Sequence, residues 1–174
     1  MGATKLIPHY TYKDYLQWQG RWELIEGIAI AMSPMANPKH QRIASNLNIT
    51  LGTLLRNNTC NCQVYQPIDV KIKEDTVVNP DLLIVCEEIE GQFLDRPFPL
   101  VVEILSPSTR LKDEVSKFEL YESFGIKYYL MIDPKDDSTK LFVLDDEHKY
   151  VPQHHFSFDL TENCTIELNI EEVF

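Results

Sequence analysis

The chain has 174 residues, the size of one ordinary domain, and we expect a single domain over residues 1–174. Its composition is 44% hydrophobic and 25% charged, so a core can form without disulfides or a structural metal. The formal net charge of -11 argues against a broad basic surface for nucleic acid. This negative charge is compatible with a local acidic site that binds a divalent cation.

The cysteines do not have the spacing of a zinc site. Cys60 and Cys62 form a C-x-C pair, and no second pair follows. We therefore expect reduced, partly buried thiols at Cys60, Cys62, Cys86 and Cys164, as in a cytosolic protein. Residues 1–8 lack the apolar core of a signal peptide, and no apolar run reaches membrane-spanning length. The expected compartment is the cytoplasm, with no membrane partner.

The N-terminal part is predicted to form a short helix and a β-hairpin. A capping box at Thr11-Tyr12-Lys13-Asp14 opens a helix that should end near Gln19. Strands over residues 21–25 and 28–32 flank Glu26-Gly27, a pair suited to a tight hairpin turn.

A long amphipathic helix is predicted next. Ser33-Pro34 and Asn37-Pro38 mark a loop, in which Asn37 can cap the helix and Pro38 can take its first position. The helix should run from Pro38 to about Arg56, with His40 on its apolar side. Its apolar stripe consists of Ile43, Leu47, Leu51, Leu54 and Leu55.

The middle of the chain is predicted to form strands. Residues 63–72 alternate apolar and charged side chains, and a polar turn follows at residues 73–76. Residues 77–85 and 100–105 are apolar and rich in β-branched residues, which is typical of strands covered on both faces.

The C-terminal part combines a helix with further strands. A helix is predicted from about Leu111 to Phe124, with Gly125 as its stop. Strands follow over residues 127–132 and 139–144, and the tail, residues 149–174, contains two more short strand-like pieces. The whole order predicts an α/β (mixed α+β) fold with a central mixed β-sheet, flanking helices and β-hairpins at both ends.

Two carboxylates in apolar strands are the first candidates for chemistry. Glu103 lies inside the apolar strand 100–105, where a lone buried charge is costly, so it should be paired or hold a metal. The alternative is an edge strand with Glu103 facing water. Asp81 follows Pro80 at the start of another apolar run, a place where solvated turn residues are also common. If the two strands are neighbours, Asp81 and Glu103 can share Mg²⁺ or Mn²⁺.

Lys117 is the third candidate. On a wheel of about 100° per residue, it falls inside a wide apolar arc. That arc consists of Leu111, Val115, Phe118, Leu120, Tyr121 and Phe124, and Glu114 also falls in it. A lysine on a packed face either extends its ammonium to water or reaches a buried acid. An acid pair with a lysine suits phosphodiester hydrolysis, because the lysine can orient or help deprotonate the attacking water and offset charge on the phosphate.

These motifs resemble those of a known family. The string Val102–Thr109, with Pro80-Asp81 before it and Asp113, Lys117, Tyr121 and Gly125 after it, resembles the signature of the Uma-two family in the PD-(D/E)XK nuclease superfamily. Further similar segments are Glu23–Gly27, Met32–Pro34, His40, Asp133-Pro134 and Glu171–Phe174. The resemblance implies a restriction-endonuclease-like fold and a DNA endonuclease that needs Mg²⁺ or Mn²⁺.

The superfamily pattern has a lysine two residues after the glutamate, where this chain has Leu105. The resemblance implies that Lys117, on the following helix, replaces it. Loss of the lysine would look the same in the sequence, so a catalytically inactive scaffold that binds nucleic acid or protein is the alternative. A glycosidase-type acid pair is disfavoured, because Trp18 and Trp22 lie far in sequence from the acids.

Other residues are candidates around this core. The resemblance makes Glu23 a fourth catalytic candidate, although the same position could be an exposed hairpin residue. Candidates for the cleft are His40, Gln66, Asp69, Asp113 and Tyr121. Asp113 and Lys117 are four residues apart, so a surface ion pair would also explain them.

The resemblance also implies a homodimer, because many restriction-like nucleases pair two sites to address two DNA strands. Such pairing could align basic residues along a DNA groove. The residues considered for it are Arg42, Arg56, Lys71 and Lys73.

Overall fold

The computed structural model of the protein describes residues 7–32 and 37–174. The Ser33-Pro34 part of the predicted loop lies outside these residues. The strands are β1 (Trp22–Ile25), β2 (Ile28–Ala31), β3 (Gln63–Tyr65), β4 (Asp69–Lys73), β5 (Thr76–Val78), β6 (Leu82–Val85), β7 (Phe93–Leu94), β8 (Leu100–Ile104), β9 (Tyr128–Asp133), β10 (Ser138–Leu144), β11 (Tyr150–Gln153), β12 (Ser157–Thr161) and β13 (Cys164–Glu167). The helical elements are α1 (Tyr12–Tyr15), α2 (Pro38–Asn57), a π-turn (Lys112–Lys117), α3 (Phe118–Phe124) and a 3₁₀ turn (Ile170–Val173).

The N-terminal elements follow the sequence pattern closely. The capping box is present, with the Thr11 amide donating to Asp14 Oδ2 at 2.8 Å, but α1 ends at Tyr15 and not near Gln19. β1 and β2 form the predicted antiparallel hairpin. Gly27 has a φ of +78°, and a Cβ there would lie 2.2 Å from Nδ1 of His9, so the turn requires glycine.

Helix α2 confirms its prediction almost to the residue. Asn37 caps it by accepting a hydrogen bond from the His40 amide at 2.9 Å, and Pro38 takes the first position. Its buried side chains are Ile43, Leu47, Leu51 and Leu55, while Leu54 is half-buried. The periodic stripe therefore packs against the core as expected.

Two of the predicted strands are wrong, because each is divided between two sheets. Residues 63–72 form β3 and β4, separated at Gln66-Pro67, and residues 77–85 form β5 and β6, separated at Asn79-Pro80-Asp81. Proline cannot donate to a strand ladder, so the chain changes sheet at both prolines. The second change places Asp81 where the two sheets meet.

A six-stranded mixed sheet is the centre of the fold. Its strand order is β11-β10-β9-β8-β6-β3, and β8 pairs antiparallel with β6 and parallel with β9. The second sheet has the order β2-β1-β5-β4-β7, and β12 pairs with β13 alone. Alternate residues of β6, β8 and β9 face α2 on one side and α3 on the other. The predicted mixed sheet with flanking helices is thus confirmed.

The segment after β8 begins as a π-turn and continues as α3, which ends at Gly125 with a φ of +89°. The wheel prediction for its first half is wrong, because Leu111 is 78% exposed and Val115 is 47% exposed. A π-turn bonds residue i to i+5, so it rotates the side chains away from their α-helical positions. Asp113 and Lys117 are buried there instead.

All four cysteines are paired, so the expectation of reduced thiols is wrong. Disulfides join Cys60 to Cys164 and Cys62 to Cys86. The β3–β6 ladder brings Cys62 opposite Cys86, and β13 contacts α2, which brings Cys164 to the end of that helix.

The C-terminal tail, residues 149–174, has three strands where two were expected. Within residues 7–32 and 37–174, no helix combines the length and apolarity needed to cross a membrane.

Candidate active site

Four segments converge at one end of the central sheet. β1 supplies Glu23, the link between β5 and β6 supplies Asp81, β8 supplies Glu103, and the π-turn supplies Lys117. Glu23 is 0% exposed, Glu103 3% and Lys117 2%. Buried charges of this kind must be compensated, and here they compensate one another. The alternatives of an exposed hairpin Glu23 and a water-facing Glu103 are therefore excluded.

Lys117 is the centre of the cluster. Its Nζ lies 2.8 Å from Glu23 Oε1, 2.7 Å from Glu103 Oε1 and 3.5 Å from Asp113 Oδ1. Burial alone would lower the pKa of Lys117, but Glu103, Glu23 and Asp113 outweigh it and hold that pKa well above its usual value. Lys117 therefore does not extend to water, and its pair with Asp113 is buried and not on the surface.

Glu103 is held at one oxygen. Its Oε1 accepts hydrogen bonds from Lys117 Nζ at 2.7 Å and from the Tyr121 hydroxyl at 2.6 Å. No residue in the described part of the chain donates a hydrogen bond to Oε2 of Glu103. Burial raises the pKa of Glu103 well above its usual value, and Lys117 offsets only part of that effect.

Glu23 is held at both oxygens. Oε1 accepts from Lys117 and from the Asn79 amide at 2.9 Å, and Oε2 contacts Lys112 Nζ. Burial would raise the pKa of Glu23, but Lys117 and Lys112 outweigh it and lower that pKa to about 2.

Sequence reasoning missed Lys112. At 100° per residue, Lys112 and Lys117 are about 140° apart on an α-helix, so the wheel places them on different faces. The π-turn brings residues five apart onto nearly the same side, and both reach Glu23. An inserted helical residue leaves no clear mark in a single sequence.

Asp81 lies beside the cluster with His40. Its Oδ2 accepts from the Ile104 amide at 2.8 Å and lies 3.3 Å from His40 Nε2. Burial would lower the pKa of His40, but Asp81 outweighs it and raises that pKa. Leu82, the first residue of β6, pairs with Val102, so Asp81 and Glu103 are the residues that directly precede and follow this pair in the chain. His40 is thus placed at the candidate site.

The other cleft candidates divide into two groups. Tyr121 and Asp113 belong to the cluster, whereas Gln66 is exposed in the β3–β4 link. Asp69 lies in a neighbouring network, where it accepts from the Asn79 side chain at 3.1 Å and from the Tyr15 hydroxyl at 2.9 Å. Asn79 therefore connects Asp69 to Glu23 without a direct contact between the two acids.

Among the described residues, two of the cavities lie near the sheet, and the lining of neither includes Glu23, Glu103 or Lys117. The larger, of about 360 Å³, is lined by Cys86, Phe98 and Lys127, at the opposite ends of β6 and β8 from Asp81 and Glu103. The smaller, of about 210 Å³, lies beside Leu105 and Asp133.

The donor set fits a hard divalent cation. Three carboxylates, from Glu23, Glu103 and Asp113, contact Lys117, Asp81 lies beside them with His40, and Asp113 Oδ1 is buried without a hydrogen-bond partner. Within residues 7–32 and 37–174, no three His, Cys, Asp or Glu side chains converge as a ready metal cage. Mg²⁺ usually needs only one or two carboxylates, with water and substrate phosphate as its other ligands. The pair Asp81 and Glu103 meets that requirement.

The fold matches that of a solved structure. A crystal structure described as "a putative nuclease belonging to DUF820", from Anabaena variabilis, matches it with a TM-score of 0.72, over 95% of this chain and 97% of that one, at 18% identity. At that identity the likeness shows the fold.

The family follows from the sequence. The Uma2 family, described as "Putative restriction endonuclease", matches residues 12–171, and this chain belongs to it. An uncharacterized protein of Synechocystis is 28% identical over 176 residues, which cover 94% of this chain and 89% of that one. The resemblance stated from the sequence motifs is confirmed.

Proposed function

We propose that this protein is a metal-dependent endonuclease that hydrolyses phosphodiester bonds in DNA. The observation that carries the proposal is the 2.7 Å contact between Lys117 Nζ and Glu103 Oε1 in a buried site. It supports the interpretation that the helix supplies the lysine that is missing at Leu105. Membership of the Uma2 family supports a nucleic-acid substrate.

Asp81 and Glu103 are the residues that would hold Mg²⁺ or Mn²⁺. Each has a carboxylate oxygen that accepts no hydrogen bond from the described residues, Oδ1 in Asp81 and Oε2 in Glu103. When bound, such an ion polarises the phosphoryl oxygen and lowers the pKa of a coordinated water.

Lys117 acts as a cation in this proposal. Its three carboxylate neighbours keep the ammonium protonated, so it orients the attacking water and offsets negative charge on the phosphate. Deprotonation of the water by Lys117, which the sequence also allowed, is disfavoured by the same contacts. His40 Nε2 can hold a proton against Asp81 Oδ2 at the edge of the site, where its side chain is 13% exposed.

The second candidate function is an inactive nuclease-like scaffold that binds nucleic acid or protein. Its support is that Lys112 and Lys117 already neutralise Glu23 and Glu103 without any metal. Titration calorimetry with Mg²⁺ and Mn²⁺ separates the two functions. An enzyme binds the ion in a manner that Asp81→Asn and Glu103→Gln abolish, and an inactive scaffold shows no such heat.

Cleavage itself is tested with supercoiled plasmid, linear duplex and single-stranded DNA in Mg²⁺, Mn²⁺ or EDTA. We expect nicking or cutting only with metal, and none from Asp81→Asn at an unchanged melting temperature. Asp146→Asn is the matched control, because Asp146 is an exposed turn residue. Absence of metal-dependent cleavage by the wild type on all three substrates would overturn the proposal.

Assembly and location are further parts of the proposal. We expect a homodimer, in which two sites address two strands, and sedimentation showing only monomer at high concentration would contradict it. Arg42 and Arg56 lie exposed on α2, where they are available to line a DNA-binding groove of the dimer.

The cytoplasmic location stays a prediction, and the two disulfides are more typical of an oxidising compartment.

A further inference from the structure

We infer that Lys112 is a second cation of the site, one that contacts the phosphate backbone of the substrate while Glu23 holds it in position. This inference rests on the proposed function and adds to it a substrate-binding residue. It concerns how the substrate is bound, and it can be tested without turnover.

The geometry of the π-turn is the first observation. Lys112 and Lys117 are its first and last residues, and their ammonium groups meet the two oxygens of one carboxylate, Oε2 and Oε1 of Glu23. Glu23 therefore fixes the spacing between the two ammonium groups. Because it also accepts from the Asn79 amide, its oxygens are engaged, and it acts as a positioning residue in place of a metal ligand.

The two lysines differ in how much of each side chain is exposed to solvent. The Lys117 side chain is 2% exposed and faces three carboxylates, whereas the Lys112 side chain is 14% exposed and forms an ion pair with Glu23 alone among the described residues. Glu23 shares its single negative charge between both lysines. Lys112 is thus the less neutralised cation and the one nearer to solvent, which is the position from which an ammonium can bind a phosphate oxygen.

The contacts also predict that Lys112 can be removed without unfolding the protein. After Lys112→Met, Oε2 of Glu23 loses its partner, but Oε1 keeps Lys117 at 2.8 Å and the Asn79 amide at 2.9 Å, so we expect a smaller loss of stability than for Lys117→Met. A matched control is Lys140→Met. Lys140 also pairs with one acid, Glu114, at 3.1 Å, but lies outside the cluster.

The experiment measures binding of a fluorescent DNA duplex by anisotropy across a range of NaCl concentrations, with EDTA present to prevent cleavage. For Lys112→Met we expect about tenfold weaker binding at low salt. The plot of log K against log salt should become shallower by about 0.9, the value for one lost phosphate contact. Lys140→Met should keep the wild-type slope. In cleavage assays with metal, Lys112→Met should raise KM more than it lowers kcat.

The outcomes are separable. If the wild type binds and cuts DNA while Lys112→Met keeps the wild-type salt slope, Lys112 is not a phosphate contact and the proposed function stands. If the slope changes as expected but the wild type never cuts, the contact stands and the enzyme proposal fails. If the wild type neither binds nor cuts, both fail. If Lys112→Met lowers the melting temperature strongly, Lys112→Arg is measured as well. A wild-type salt slope in Lys112→Arg supports the phosphate contact, and a wild-type melting temperature without the wild-type salt slope overturns it.

Discussion

The ammonium of Lys117 lies 2.7 Å from Oε1 of Glu103, fourteen residues earlier in the chain, and both side chains are buried. This pair ties the π-turn to the end of β8. The same ammonium also contacts Glu23 and Asp113, so one positive charge offsets the repulsion among three carboxylates.

Removal of that ammonium should destabilise the fold strongly. Lys117→Met leaves three buried carboxylates without their shared cation, and we expect a loss of about 3–5 kcal/mol in the free energy of unfolding. Lys117→Arg keeps the charge and should lose less. Urea denaturation followed by circular dichroism measures both. Equal stability of Lys117→Met and the wild type would mean that the cluster is hydrated and not buried.

The ion pairs of Glu23 should make stability depend on pH in the acid range. The pKa of Glu23 is lowered to about 2 in the folded protein, from an ordinary value of 4.5. Its stabilising effect is therefore complete above about pH 4.5 and is lost as the pH falls towards 2. The stability difference between the wild type and Glu23→Gln should shrink by up to about 1.4 kcal/mol per pH unit in that window. Urea titrations from pH 6 to pH 2.5 measure it, and a constant difference would contradict the pairing.

The two disulfides should differ in their effect on stability. Cys60–Cys164 spans 104 residues and Cys62–Cys86 spans 24, and a longer loop restrains the unfolded chain more. Replacement of the first pair by serine should therefore cost about 1 kcal/mol more than replacement of the second. Thiol alkylation with mass spectrometry checks the pairing. Free thiols in the unreduced native protein would show that the bridges are absent.

Two buried tyrosines offer a matched pair of hydroxyl deletions. The Tyr121 hydroxyl donates to the Glu103 carboxylate at 2.6 Å, and the Tyr129 hydroxyl donates to the Asp113 carbonyl at 2.9 Å. Hydrogen bonds to a charged group contribute about 1.5–3 kcal/mol and neutral ones about 1. Tyr121→Phe should therefore be the more destabilising change in thermal melts, and should also lower cleavage. Equal or reversed costs would contradict a charged Glu103 acceptor.

The fold was largely predictable where local signals agree with tertiary packing. The hairpin at Glu26-Gly27 and helix α2 carry turn, cap and periodicity signals that point the same way. The prediction failed at Pro67 and Pro80, where the chain moves from one sheet to another. The apolar pattern of a segment indicates that it forms strands, but it does not show to which sheet each part of the segment belongs.

The sequence named several of the side chains that cluster here, but not their contacts, and their roles stay predictions. Apolar context indicated Glu103, the helical wheel and the family resemblance indicated Lys117, and the resemblance indicated Glu23. Lys112 could not be found, because the wheel assumes an α-helical period that the π-turn breaks. The disulfides were missed because spacing alone does not show that β13 contacts the end of α2.

The Cys60–Cys164 bridge encloses Asp81, Glu103 and Lys117 in one covalent ring, while Glu23 and His40 lie on the arm outside it. A protease that nicks the chain once inside this ring, for example in the exposed stretch near Gly91, leaves both pieces attached. Such a nicked molecule migrates as one band under oxidising conditions and separates into two bands only after reduction. Because of the ring, a single cut cannot separate the segment that carries Asp81 from the strand that carries Glu103.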